Sequence, residues 1–140
     1  MGFIMRFFGD ATTLGAEQAR VVEPVVLLNL AREWDPRLSP DDLYERTRRY
    51  WHCAPQRHAA DYAMAVGDGV IQEVYRIESW SEVDMATEQL DPRRKRAGRP
   101  LPHHTRRQAF EGHVADDMQH YVGKSVRHLV GQNPIRWLNC

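Results

Sequence analysis

This chain of 140 residues predicts an α+β domain on a small, strongly curved mixed β-sheet with two or three flanking helices. Three features lead there. Tyr62–Val66 and Val70–Trp80 are rich in β-favouring residues and are joined by Gly67-Asp68-Gly69, the turn chemistry of a hairpin. Pro24 opens VVLLNL, a continuous apolar run of strand length. Ser39-Pro40-Asp41-Asp42 combines an N-cap, a proline at the first helical position and an acid three residues beyond the cap.

Taken in order, residues 1–20 show no period and contain Gly9, Thr12, Thr13 and Gly15, so they are expected as a loose arm ahead of a single domain over 21–140. VVLLNL is expected as a buried central strand. A helix follows from Pro40 to about Trp51, with Leu43, Thr47, Tyr50 and Trp51 on one face. The hairpin comes next. Beyond it, a long loop at about 85–106 carries Pro92, Gly98, Pro100 and Pro102, a length that in a compact domain points to function or disorder. Phe110 and Val114 anchor a strand starting at Arg106. Asp116 and Asp117 favour a helix start, and Met118, Tyr121, Val122, Val126 and Leu129 recur at helical spacing, with Gly123 ending or bending that helix. Ile135, Trp137 and Leu138 make a terminal strand. The predicted order is strand, helix, two strands, loop, strand, helix, strand.

Composition narrows the class. Hydrophobic residues make up 42% and charged residues 27%, as in ordinary globular proteins. No apolar run nears the roughly 20 residues of a membrane-spanning helix, and the MGFIMRFFGD start is too short for a secretory signal. A cytoplasmic location without membrane attachment is therefore expected. With only Cys53 and Cys140, reduced thiols are expected rather than a disulfide framework.

The formal net charge of zero conceals segregation. From Arg93 to Arg107 there are seven basic side chains, two histidines and no acid, whereas acids gather at Asp35–Glu45 and Glu73–Asp91. Screening over about 8 Å at physiological salt makes such local charge count more than the total, so the basic stretch suits phosphates.

Several chemistries are disfavoured. Gly123-Lys124-Ser125 resembles the end of a phosphate-binding loop, but the motif's leading glycine is replaced by Met118. Lys124 remains a candidate phosphate contact. The seven histidines lack zinc-site spacing, so no metal and no cofactor are expected. No Gly-x-Ser-x-Gly elbow is present, and His52 beside Cys53 does not make a dyad by adjacency. Glu73, Glu78 and Glu111 lie in strands and would serve as acid or base only if buried.

Rings and guanidiniums carry the main reading. Arg48 lies one turn from Trp51, Tyr75 and Trp80 share a strand, and Phe110 follows the basic loop. Rings stack on bases at about 1–3 kcal/mol each, and guanidiniums grip phosphate. The competing account is core packing. Tyr75 and Trp80 are an odd number of residues apart, so a regular strand would put them on opposite faces.

With this element order and the strings LYERTRRYW, GDGVIQEVYRIESW, FEGHVA, YVGKSV and NPIRWLNC, residues 25–140 resemble the PUA-like superfamily, which includes ASCH, EVE and YTH domains. The resemblance implies a pseudo-barrel that binds RNA or holds a modified base in an aromatic pocket, with Trp51 and Trp80 as pocket walls. The glycine-lysine-glutamate signature of ASCH domains is missing, which removes support for an amidohydrolase activity. The expected function is thus non-enzymatic binding of nucleic acid, a nucleotide or a modified base through Arg48, Trp51, Tyr75, Trp80, Lys124 and Arg136. Two alternatives stand beside it. One is a nucleotide-processing or nucleic-acid-cleaving enzyme using a strand glutamate. The other is a protein-interaction module using Phe3, Ile4, Phe7 and Phe8. A homodimer is left open.

Overall fold

A computed structural model describes residues 15–84 and 106–140. Residues 1–14 of the expected 1–20 arm and most of the basic loop lie outside them. Five strands form one open mixed sheet: β1 (Val25–Asn29), β2 (Tyr62–Gly67), β3 (Val70–Asp84), β4 (Arg106–Val114) and β5 (Ile135–Leu138), in the order β4-β3-β2-β1-β5. β1 and β2 run parallel, and every other pair is antiparallel.

Val25 to Leu28 are fully buried, because β1 is covered on both faces and so reads as an unbroken apolar run. Parallel pairing with β2 demands a crossover. That crossover contains α1 (Pro40–Arg48), where Ser39 Oγ accepts from the Asp42 amide at 3.1 Å and Pro40 occupies the first turn. The helix stops at Arg48, so Trp51 lies beyond it and not at its end as expected. Trp51 instead exchanges backbone hydrogen bonds with Gln108 at 2.9 and 2.7 Å, which an outer position on β4 makes available.

The β2–β3 hairpin turns on Asp68 and Gly69, with φ of 54° and 75°. Two consecutive positive φ values are the type I′ geometry that Asp-Gly supplies and that matches strand twist. The Trp34 indole covers the turn: its Nε1 donates to Asp68 at 3.2 Å, and a Cβ on Gly67 would fall 2.3 Å from the ring.

Each face of the sheet carries its own core. Val25, Leu27, Met64, Val66, Ile71 and Val74 pack under Ala19, Met118, Tyr121 and Val126. On the other face, Val26, Leu28, Ala63, Ala65, Tyr75 and Phe110 pack under Leu43, Tyr44, Trp51 and Trp80. Two β-bulges in β3 decide which residues go where. Gln72 is extra opposite the step from Ala65 to Val66, and Glu78 is extra opposite the step from Glu111 to Gly112. An extra residue reverses the alternation of the strand beyond it.

The second predicted helix is corrected. Asp116–Tyr121 forms a short 3-10 segment, after which the chain runs alongside the start of β3. Gly123 has φ of 91° and donates to Ile71 O at 2.8 Å, and Lys124 O accepts from Ile71 at 2.9 Å. The helical spacing of Met118, Tyr121 and Val126 is real as a burial pattern, but those residues reach the core from a turn and an extended rung.

Candidate functional site

The helix-covered face of the sheet carries a continuous line of rings. Tyr44 lies 5.3 Å from Tyr75 and 6.3 Å from Phe110, and Phe110 lies 5.4 Å from Trp80 edge to face. Trp80 in turn lies 6.3 Å from Trp137, which stacks on His58 at 4.1 Å with only 5° between the planes. Tilted and T-shaped pairs such as the first four satisfy the ring quadrupoles.

This line exists because of the bulge at Glu78. Tyr75 and Ile77 point to the helix-covered face, and the extra residue turns Trp80 to that same face, where it pairs with Phe110. The expectation that Tyr75 and Trp80 lie on opposite faces is overturned for that reason. Gly112 makes the bulge sterically feasible, since a Cβ there would sit 2.1 Å from the Arg76 carbonyl oxygen.

The line divides by depth. Tyr75 and Phe110 are sealed at 1% and 0% exposure, whereas Trp51, Trp80, Trp137 and His58 are half-buried. Tyr75, expected as a ligand contact, is therefore a floor on which the outer rings rest. Burial pushes its hydroxyl pKa upward, with the nearby Glu73 carboxylate adding to the rise. Trp51 is pinned by its Nε1, which donates to Thr47 O at 2.7 Å.

Arg48 borders this face but is committed to its own surroundings. It donates through Nε to Phe110 O at 2.9 Å and pairs with Glu45 at 3.2 Å and Glu111 at 2.5 Å. Burial works against its charge, but the carboxylates of Glu111 and Glu45 outweigh it and raise its pKa. The side chain expected to grip phosphate thus clamps α1 to β4.

Lys124 and Arg136 are not brought to the rings. Lys124 pairs with Glu17 at 3.0 Å beside the start of β3. Arg136 is exposed at the register position opposite Leu27, so it belongs to the other face from its neighbour Trp137. Alternation along β5 places only one of the two with the aromatic line. Of the basic stretch, Arg106 and Arg107 are described, and Arg106 pairs with Glu82.

The acid and thiol candidates have local partners too. Glu111 is exposed and held by Arg48 and the Tyr44 hydroxyl. Glu73 accepts from Gln119 at 2.8 Å and from the Val74 amide at 3.0 Å. Glu78 pairs with His113 at 2.9 Å, both well exposed. Burial lifts the Cys53 thiol to about 11, which keeps it protonated and a poor nucleophile near neutral pH. Among the described residues, no group of three or more His, Cys, Asp or Glu side chains could hold a metal ion.

Sequence reasoning misses three of the ring residues, the first being Tyr44 of α1. Trp137 is read only as part of a strand, although the Ile135/Trp137 alternation signals that it shares a face with Val26 and Leu28. His58 lies in an irregular segment with no periodic signal, and only tertiary contact sets it against Trp137. No protein-family model, curated protein or solved structure matches this chain.

Proposed function

We propose that the chain is a non-enzymatic binder of a nucleobase, carried on a nucleic acid or a nucleotide, and that Trp51, Trp80 and Trp137 provide the stacking surfaces. The observation that carries this reading is the pairing of half-exposed indoles with a sealed floor of Tyr75 and Phe110 on one face. A floor that cannot collapse keeps flat apolar surface presented to solvent, and base–aromatic stacking contributes about 1–3 kcal/mol per base. The bulge at Glu78, which bends and twists β3, supports a curved sheet of PUA-like form around this face. Phosphate contacts fall to the basic stretch Arg93–Arg107 rather than to Arg48, each of whose guanidinium nitrogens already donates to a partner.

The experiment is a tryptophan-fluorescence titration with single-stranded, duplex and modified-base oligonucleotides at two salt concentrations. Quenching with affinity that weakens as salt rises is expected. Absence of binding to all three at low salt would overturn the proposal. The enzyme alternative has less support, because Glu73 and Glu111 are each held by neutral or cationic partners and Lys124 pairs with Glu17 instead of either. The protein-interaction alternative rests on Phe3, Ile4, Phe7 and Phe8, which lie outside the described residues.

A further inference from the structure

We infer that the face of Trp137 covered by His58 is a base-stacking subsite, and that the imidazole is its built-in occupant, which an incoming nucleobase displaces. The inference rests on the base-binding reading above and adds that this indole stays closed until a ligand competes for it.

The His58–Trp137 contact differs in kind from the rest of the ring line. Tyr44, Tyr75, Phe110, Trp80 and Trp137 meet one another at 48° to 79°, the tilted and edge-on arrangements of packed cores. At the end of the line His58 lies parallel to Trp137, with 4.1 Å between centroids and 5° between planes. That is how a base stacks on an indole, since stacking needs only a flat π-face and imidazole is the five-membered ring of a purine. His58 fills the place of a base.

Two observations make this occupant displaceable. His58 Nδ1 is buried and has no hydrogen-bond partner among the described residues. Whether that nitrogen carries a proton or a lone pair, its seat on Trp137 withholds a hydrogen bond that water supplies once the ring swings out. The second observation is positional. His58 follows the 3-10 turn Pro55–Arg57, where Arg57 N donates to Ala54 O and His58 N to Pro55 O, each at 3.0 Å. It takes part in none of the strand pairings, so its side chain can leave without opening the sheet. Trp137 is fixed by its register with Val26 on β1 and stays behind as the shelf.

Such competition weakens apparent affinity by the fraction of molecules whose subsite is open. The test is fluorescence anisotropy of a fluorescein-labelled single-stranded oligothymidylate titrated with the full chain, a readout independent of indole emission. His58→Ala is expected to bind about two- to tenfold more tightly than wild type, the population shift that one aromatic stack can hold. His58→Phe keeps the flat ring and has no nitrogen to strand, so it is expected to hold the subsite more firmly and bind more weakly. In the Trp137→Ala background the gain from His58→Ala should vanish. A purely structural role for His58 predicts the reverse for alanine, a loss of affinity as the shelf loosens. Should His58→Ala not fold, judged by circular dichroism, the phenylalanine variant decides. Equal or weaker binding by folded His58→Ala, unchanged or tighter binding by His58→Phe, or a gain that survives in the Trp137→Ala background overturns the inference and leaves base binding standing. Absence of binding by wild type and every variant overturns both.

Discussion

At the scale of single residues, Gly112 matters because a backbone oxygen occupies the space a side chain would need. Arg76 O cannot swing aside as a flexible side chain could, so Gly112→Ala is expected to destabilise by about 1–3 kcal/mol. Gly131→Ala, whose Cβ would meet nothing within 4 Å, is expected to be near neutral. Comparison of their urea midpoints checks the pair. Cys53 gives a second test. Burial lifts its thiol from the ordinary 9.0 to about 11, so the unfolded chain releases that proton at lower pH than the fold does. The associated stability is full below about pH 9 and is lost as pH rises toward 11. Urea midpoints at pH 8 and pH 10.5 should show this loss, and Cys53→Ala should reduce it. An unchanged slope in that variant would assign the alkaline loss to other groups, such as the buried Tyr75 hydroxyl.

Among the elements, β3 decides the most. Its two bulges reset the side-chain alternation twice, which is how Ile71 and Val74 come to share one core while Tyr75 and Trp80 share the other. Deletion of Glu78 is expected to restore regular pairing with β4 and, because it leaves Tyr75 and Trp80 an even number of residues apart, to keep Trp80 opposite Phe110 on the helix-covered face. Retained oligonucleotide affinity, with a folded circular-dichroism spectrum, would bear this out. Loss of affinity to the level of Trp80→Ala would show that β3 shifts its register against β4 instead. α1 offers a simpler case. Ser39→Ala removes the acceptor for the Asp42 amide and should cost about 0.5–2 kcal/mol, read from thermal unfolding.

Across the whole molecule, charge and rings are distributed separately. The basic stretch is sequence-local, but the indoles come from β3, β5 and the segment after α1. Binding driven by both predicts two independent signatures. Replacing Arg93, Arg94, Lys95 and Arg96 with glutamine should flatten the salt dependence, by about 0.9 in log–log slope for each duplex phosphate that the variant no longer neutralises. Trp80→Ala should lower affinity at every salt concentration and leave that slope unchanged. A slope altered equally by both would mean that rings and charges do not act separately.

Local signals determined much of this protein. The apolar run, turn and cap chemistry of VVLLNL, Asp68-Gly69 and Ser39-Pro40 act within a few residues, so β1, the hairpin, the start of α1 and the terminal strand were legible, as was Trp80 as a candidate ring. Where the outcome depended on pairing between distant segments, sequence reasoning failed. The bulge at Glu78 arises from register against β4, the replacement of the predicted helix after Asp116 by a 3-10 segment and an extended rung from hydrogen bonds to Ile71, and the commitment of Arg48 from Glu111 and Phe110 O across the chain. Side-chain alternation is a property of one strand, but where it is interrupted is settled by the neighbour with which that strand pairs.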